Sequence, residues 1–160
     1  MGELVIEQLE RSLVCLKEHD VGDARTITER DTKVNRMDID VEEMCLQFLA
    51  LHQPVAGDLR FINAAMKITT ELERIGDRVV NICEAVVDGG AHDPVSTDAQ
   101  VLQIGKLATA MVRDAMTAFS RNHAALVKSV WEKDKEFDAL YSHVFPNLIT
   151  SLAKDPERIA

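Results

Sequence analysis

Two carboxylates one helical turn apart, Glu73 and Asp77, stand inside the run ELERIGDRVVNICEA. Residues four apart lie one above the other on a helix, so this like-charged pair repels mildly unless a cation lies between or beside it. A hard cation ligated by oxygen suits such a pair: Mg²⁺, Ca²⁺, Mn²⁺ or iron. The same spacing recurs at Asp31 and Asn35, and again at Asp134 and Asp138. Glu71, Asn81 and Glu84 lie near enough along the helix to support the first pair from behind. The competing reading is a solvated helix face, with Arg74 and Arg78 as ordinary ion-pair partners. Other chemistry finds no template. No ExxH precedes a histidine, and HExxH, a P-loop, GxGxxG and GxSxG are all absent. His19, His52, His92 and His123 fall in turns or at helix ends, and no nucleophile and base can be paired, so no enzymatic activity is expected.

The elements that must hold these groups are helical. Five amphipathic segments can be marked from spacing. The first runs from about Glu3 to Glu18 with Ile6, Leu9, Leu13 and Leu16 inward. The second opens near Asp23, a candidate N-cap. It carries Val34, Met37, Val41, Met44, Phe48 and Leu51 as a heptad seam, and ends before Pro54. The third, about Val55 to Val87, has two apolar stripes. One reads Phe61, Ala65, Ile68, Leu72, Ile75, Val79, Ile82 and Val86. The other, through Ile62, Met66, Thr69, Val80 and Cys83, is interrupted by Glu73 and Gly76. A helix apolar on two sides is central, and a break in its pattern marks a place to expect function. A linker spans Asp88–Asp98. The fourth helix reaches about Arg121, with Ile104, Met111, Ala115 and Ala118 inward. The fifth reaches about Ala153 on Val130, Phe137, Leu140, Tyr141, Val144 and Leu148, with a kink or break expected at Pro146.

Composition agrees. The chain has 160 residues, 46% hydrophobic and only 4% aromatic, with 7 Gly and 4 Pro. Too few aromatics and turn residues are present for a β-sandwich or barrel. A net charge of -9 lacks the basic footprint that nucleic-acid binding requires. Cys15, Cys45 and Cys83 are widely spaced and read as small apolar residues of a reducing compartment. With no secretory signal pattern and no apolar run of membrane-spanning length, a cytoplasmic protein is expected.

The fourth and fifth segments overlie the first and second at an offset of 103 residues. Glu29-Arg30-Asp31 then falls on Glu132-Lys133-Asp134, and Asn35 on Asp138. Pro54 is answered by Pro156, one residue out of register. This predicts a tandem helical repeat: a three-helix unit over 1–90, a linker over 91–98, and a partial second unit over 99–160 that lacks its last helix. Helices four and five would then leave Ile104, Met111, Phe137 and Val144 uncovered. Exposed apolar surface of that kind finds a partner, so a homodimer or higher oligomer is expected.

Across Gln53–Val87, QPVAGDLRFINAAMKITTELERIGDRVVNICEAV resembles the PhoU family of phosphate-specific transport accessory proteins. ERDTKVNRMD (Glu29–Asp38), EKDKEFDALY (Glu132–Tyr141) and DPERI (Asp155–Ile159) are similar to further family stretches, so the likeness runs through nearly the whole chain. It implies an all-α fold of tandem three-helix bundles, here without the last helix of the second. It also implies a cytoplasmic negative regulator of phosphate uptake and of phosphate-starvation signalling. Such a regulator contacts the phosphate transporter ATPase and the phosphate sensor histidine kinase, and is peripheral to the membrane at most. Some members bind iron or other metals through E/DxxxD motifs. By position these are Glu73 and Asp77, Asp31 and Asn35, and Asp134 and Asp138, with Asn35 standing where the family has an acid. Two other readings remain open: a metal-cluster protein for storage or sensing, and a helical oligomerisation scaffold.

Overall fold

The computed structural model describes residues 1–89 and 99–154. They form five helices: α1 (Gly2–Glu18), α2 (Val21–His52), α3 (Ala56–Asp88), α4 (Ala99–Ser120) and α5 (Ala125–Lys154). No strand occurs among the described residues. Each helix lies within a turn of where the apolar spacing puts it. Most of the expected linker (residues 90–98, with His92) and the DPERI stretch with Pro156 lie outside the described residues.

The turns follow from their residues. His19 takes the left-handed conformation (φ 55°) that closes α1, and Asp20 N–H donates back to the Cys15 carbonyl at 3.2 Å. The cap of α2 is Asp20 rather than Asp23: Asp20 Oδ1 accepts the Asp23 N–H at 2.9 Å. Asp23 sits one turn in and receives Arg11 from α1 through Nε at 3.1 Å and through Nη2. That ion pair holds Asp23 below its ordinary pKa. Removing the cap in Asp20→Ala is expected to cost about 1 kcal/mol, read as a fall of roughly 2–4 °C in Tm. An unchanged melting curve would show that the cap contributes nothing. At the far end, Gln53 is left-handed (φ 46°) just before Pro54, so α2 stops at His52 as expected. α5 continues unbroken through Pro146, so of the kink or break expected there the break does not occur.

α1 lies against both α2 and α3, which run along each other; α4 crosses onto α1, and α5 touches α4 alone among the described helices. The core is shared by α1, α2 and α3: Leu9, Cys15, Ala24, Ile27, Val79, Cys83 and Val86 form one cluster. Leu4, Val5, Val34 and Leu72 form a second, reached from α4 by Val112 and Met116.

The α1–α4 contact is reciprocal. A Cβ at Gly2 would press on Met116, and one at Gly105 on Leu13. Adding 103 to Gly2 and Leu13 gives Gly105 and Met116, so the two contacts exchange under the repeat offset. Between them Arg113 Nη2 meets Glu10 Oε1 at 2.5 Å, again 103 residues apart. A two-fold axis generates this pattern, with residue i on j and j on i.

Burial departs from the expected stripes on every helix but α1; at the head of the α3 stripe Phe61 is exposed. Val34 of the α2 seam is buried, but Met44, Phe48 and Leu51 are exposed. α1 is only 17 residues long, about 25 Å, beside a 32-residue α2 of about 48 Å, so the far half of α2 meets only α3. On α4, Ala115 is exposed rather than inward. Where α4 and α5 meet, Val144 is buried and Ile104, Met111 and Phe137 are half-buried, because the two helices cover these residues between them. The uncovered apolar face of α5 lies alongside, on Val127, Trp131, Tyr141, Phe145 and Ile149.

Candidate functional site

α2 and α3 bring the first two of the three expected pairs together. Asp31 is 8% exposed, and its carboxylate lies over Gly76: a Cβ there would stand 2.9 Å from Asp31 Oδ1 and 3.3 Å from Val34 Cγ1. The glycine that interrupts the α3 stripe is therefore the seat of the Asp31 carboxylate. Oδ2 accepts from Asn35 Nδ2 at 3.2 Å, while Oδ1 is buried without a hydrogen-bond partner. Burial pushes the Asp31 pKa up, the Asp77 charge pushes it further, and the Asn35 amide draws it back in part. Glu73 is raised as well, first by burial and then by Asp77, Asp38 and Asp31.

The Asp77 charge thus disfavours the charged forms of both Asp31 and Glu73. Of the arginines offered by the sequence, Arg74 pairs with Glu71 at 2.9 Å, and its charge draws the Glu73 pKa back only as the last of the influences on it. A cleft of about 280 Å³ runs beside the group, lined by Asp31, Arg74, Asp77, Arg78, Asn81 and Glu84 among others. Among the described residues no three His, Cys, Asp or Glu side chains converge closely enough to enclose a metal ion. The donor set is nonetheless that of a hard cation, all oxygen and acidic, with one buried oxygen unsatisfied.

Two participants escaped the spacing argument. Asp38 has no part in the three expected pairs, yet it is seven residues from Asp31 on the same face of α2, and its charge reaches Glu73. Gly76 was seen only as an interruption. The third pair stands apart. Asp134 and Asp138 lie on α5, which packs on α4 alone, so no second carboxylate-bearing helix of the kind that faces Asp31 stands opposite them among the described residues. What α5 does share with α2 is an anchoring cation. Arg30 Nη1 donates to Glu7 of α1 at 2.8 Å, and Lys133, 103 residues on, pairs with Asp114 of α4. Asp114 also accepts from Ser129 Oγ at 3.1 Å, and its pKa is lowered, chiefly by Lys133.

The PhoU domain family matches residues 1–86 and 101–160. The chain belongs to the PhoU family. It is 31% identical over 159 residues to the phosphate-specific transport system accessory protein PhoU homolog of Aquifex aeolicus, covering 99% of this chain and 72% of that protein. The homolog from Pseudomonas putida is 35% identical over 167 residues, covering 100% of this chain and 63% of that one. The chain thus spans between three-fifths and three-quarters of the length of these relatives. The crystal structure of PhoU from Pseudomonas aeruginosa superposes with a TM-score of 0.92 at 33% identity, covering 99% of this chain and 77% of that one. The regulatory protein PhoU from Streptococcus pneumoniae gives 0.82 at 31% identity, covering 96% and 72%. The all-α fold is that of PhoU. No helix among the described residues is long and apolar enough to cross a membrane.

Proposed function

We propose that this member of the PhoU family is a cytoplasmic regulator of phosphate uptake and of the phosphate-starvation response. It acts by contact with the phosphate transporter ATPase and the phosphate sensor histidine kinase rather than by catalysis. The observation that carries this reading is the PhoU fold itself, kept over 99% of the chain at a TM-score of 0.92. The reciprocal α1–α4 contacts support a division into a three-helix unit over 1–90 and part of a second over 99–160. The open α5 face, with Trp131 67% exposed, supports a homodimer. Expression in a bacterium lacking its own PhoU is expected to restore repression of a phosphate-starvation reporter in phosphate-rich medium. A reporter that stays on while the protein accumulates in folded form would overturn the reading.

A second reading is favoured by the orphaned Asp31 Oδ1. Asp31 would receive a divalent cation or iron, with Asn35 orienting it, and Glu73 and Asp77 would have to close in to complete the set, the cation neutralising the crowded carboxylates. Asp134 and Asp138 would offer a weaker pair on α5.

A further inference from the structure

The outer face of α3 carries charge of the opposite sign to the chain as a whole. Arg60, Lys67, Arg74 and Arg78 recur at spacings of seven, seven and four, which keeps them within one narrow sector of the helix, and all four are exposed. They form a basic ladder about 27 Å long. Only Arg74 has an ion-pair partner among the described residues, Glu71, which is also the sole acid within the sector. In a chain of net charge -9, three cations in line without an ion-pair partner among the described residues are a local reversal of the field.

The two flanks of the ladder differ. On one lies the acidic cleft of Asp77 and Glu84. On the other, between α3 and α4, lies an apolar recess of about 240 Å³, walled by Ile68, Leu72, Ile75, Val112, Ala115 and Met116, with Lys67 and Glu71 at its rim. Phe61 of α3 stacks on Phe119 of α4 at 5.2 Å, so these two rings bridge the helices. An apolar groove beside a row of cations fits one kind of occupant: an amphipathic helix whose apolar face enters the recess and whose acidic flank meets the ladder. A flat anionic surface such as a bilayer fits less well, because it cannot reach Arg74 and Arg78 without also meeting Asp77 and Glu84. A helix laid on the α4 side avoids them.

We propose that the α3–α4 groove and the Arg60–Lys67–Arg78 ladder form the docking surface for an acidic amphipathic helix of a partner protein. This deepens, and rests on, the reading of the chain as a regulator that acts by contact. The probe is a synthetic 18-residue helical peptide with Leu at i, i+3, i+4 and i+7 and Glu along the flank, beside a twin with Lys for Glu. Fluorescence anisotropy on the whole chain is expected to give saturable binding of the Glu peptide that weakens with salt, and little binding of the Lys twin. The triple variant Arg60→Glu, Lys67→Glu, Arg78→Glu is expected to weaken the Glu peptide on the order of tenfold and to favour the twin. Ala115→Trp, which fills the recess from an exposed position without changing charge, is expected to weaken the Glu peptide, with circular dichroism unchanged.

Equal binding of the two peptides, or binding indifferent to the triple variant, would overturn the proposal. So would finding that the ladder governs only capture by phosphatidylglycerol vesicles, or only self-association in sedimentation. Pull-down of the transporter ATPase separates the two levels. Capture that survives both variants removes the groove and leaves the regulator reading intact. Failure of capture by the wild-type chain counts against that reading, while the peptide result stands.

Discussion

Replacing Ile27 with alanine is expected to lower the unfolding free energy by about 3 kcal/mol. Ile27 is fully buried at the meeting of three helices, in the cluster with Leu9 and Cys15 of α1, Ala24 of α2, and Val79, Cys83 and Val86 of α3. Its neighbours come from rigid helices on every side, so the space left by the side chain cannot collapse and the cavity adds to the lost transfer energy. The cluster also supplies its own reporter. Burial pushes the Cys15 thiol up to about 12 and the Cys83 thiol up to about 11, so both are inert while the core is closed. Alkylation of these two cysteines therefore measures opening. In Ile27→Ala it should run on the order of 100-fold faster at neutral pH, since each 1.4 kcal/mol is tenfold. Cys45, half-exposed on α2, should label at an unchanged rate. Denaturant unfolding gives the same quantity independently. A loss below about 1 kcal/mol with unchanged labelling would mean that this cluster is not the centre of the fold.

The sequence revealed the five helices and the central place of α3 because those depend on local spacing. Two apolar stripes on α3 leave no other solution, and the buried Leu72, Val79, Val86 and Ile62, Cys83 come from both. It did not reveal which half of α2 is covered. Met44, Phe48 and Leu51 continue the seam in spacing, but burial depends on how far α1 extends beside them, which spacing on α2 does not encode. The open face of α5 was misplaced for a related reason. Phe137 and Val144 turn toward α4, so Tyr141, read as inward, is 46% exposed. At the site, the helical repeat of four found Glu73 with Asp77 and Asp31 with Asn35, since i, i+4 pairing is a property of one helix. The contact of Asp31 with Gly76, and the reach of Asp38 to Glu73, join two helices and required their register. The offset of 103 is the exception among long-range features, because a repeat leaves its trace in the chain. Arg30 with Lys133, and Gly2 with Gly105, occupy corresponding places in space as well as in sequence.

A divalent cation should act on the wild-type chain and on its Asp31 variant with different results. Without a cation, Asp31→Asn is expected to stabilise the fold by roughly 1 kcal/mol, because an amide removes a buried charge that lacks one partner and repels Asp77. Its pH dependence identifies the cause. The folded-state pKa of Asp31 lies above 3.8, so the stability it contributes is present below 3.8 and is lost as pH rises through the folded value. The gap between variant and wild type should therefore be widest near neutral pH and close in acid. Asp23 and Asp114 work in the opposite sense. Their pKa values are lowered by Arg11 and Lys133, so their contribution is present above 3.8 and fades as pH falls through the folded values. The acid limb of the wild-type curve belongs to those ion pairs, and the neutral deficit to Asp31. Titrating Mn²⁺ or Mg²⁺ at neutral pH should then reverse the order. At 100 times the dissociation constant, a cation bound only by the folded state adds about 2.7 kcal/mol, or roughly 5–10 °C in Tm for a chain of this size. That gain should appear in wild type and in Asp134→Asn with Asp138→Asn, and be absent from Asp31→Asn and from Glu73→Gln with Asp77→Asn. An equal rise in all four proteins, or none in wild type up to millimolar cation, would remove the cation from this site. The crowding of Asp31, Glu73 and Asp77 would then be a deficit in stability that the fold carries uncompensated.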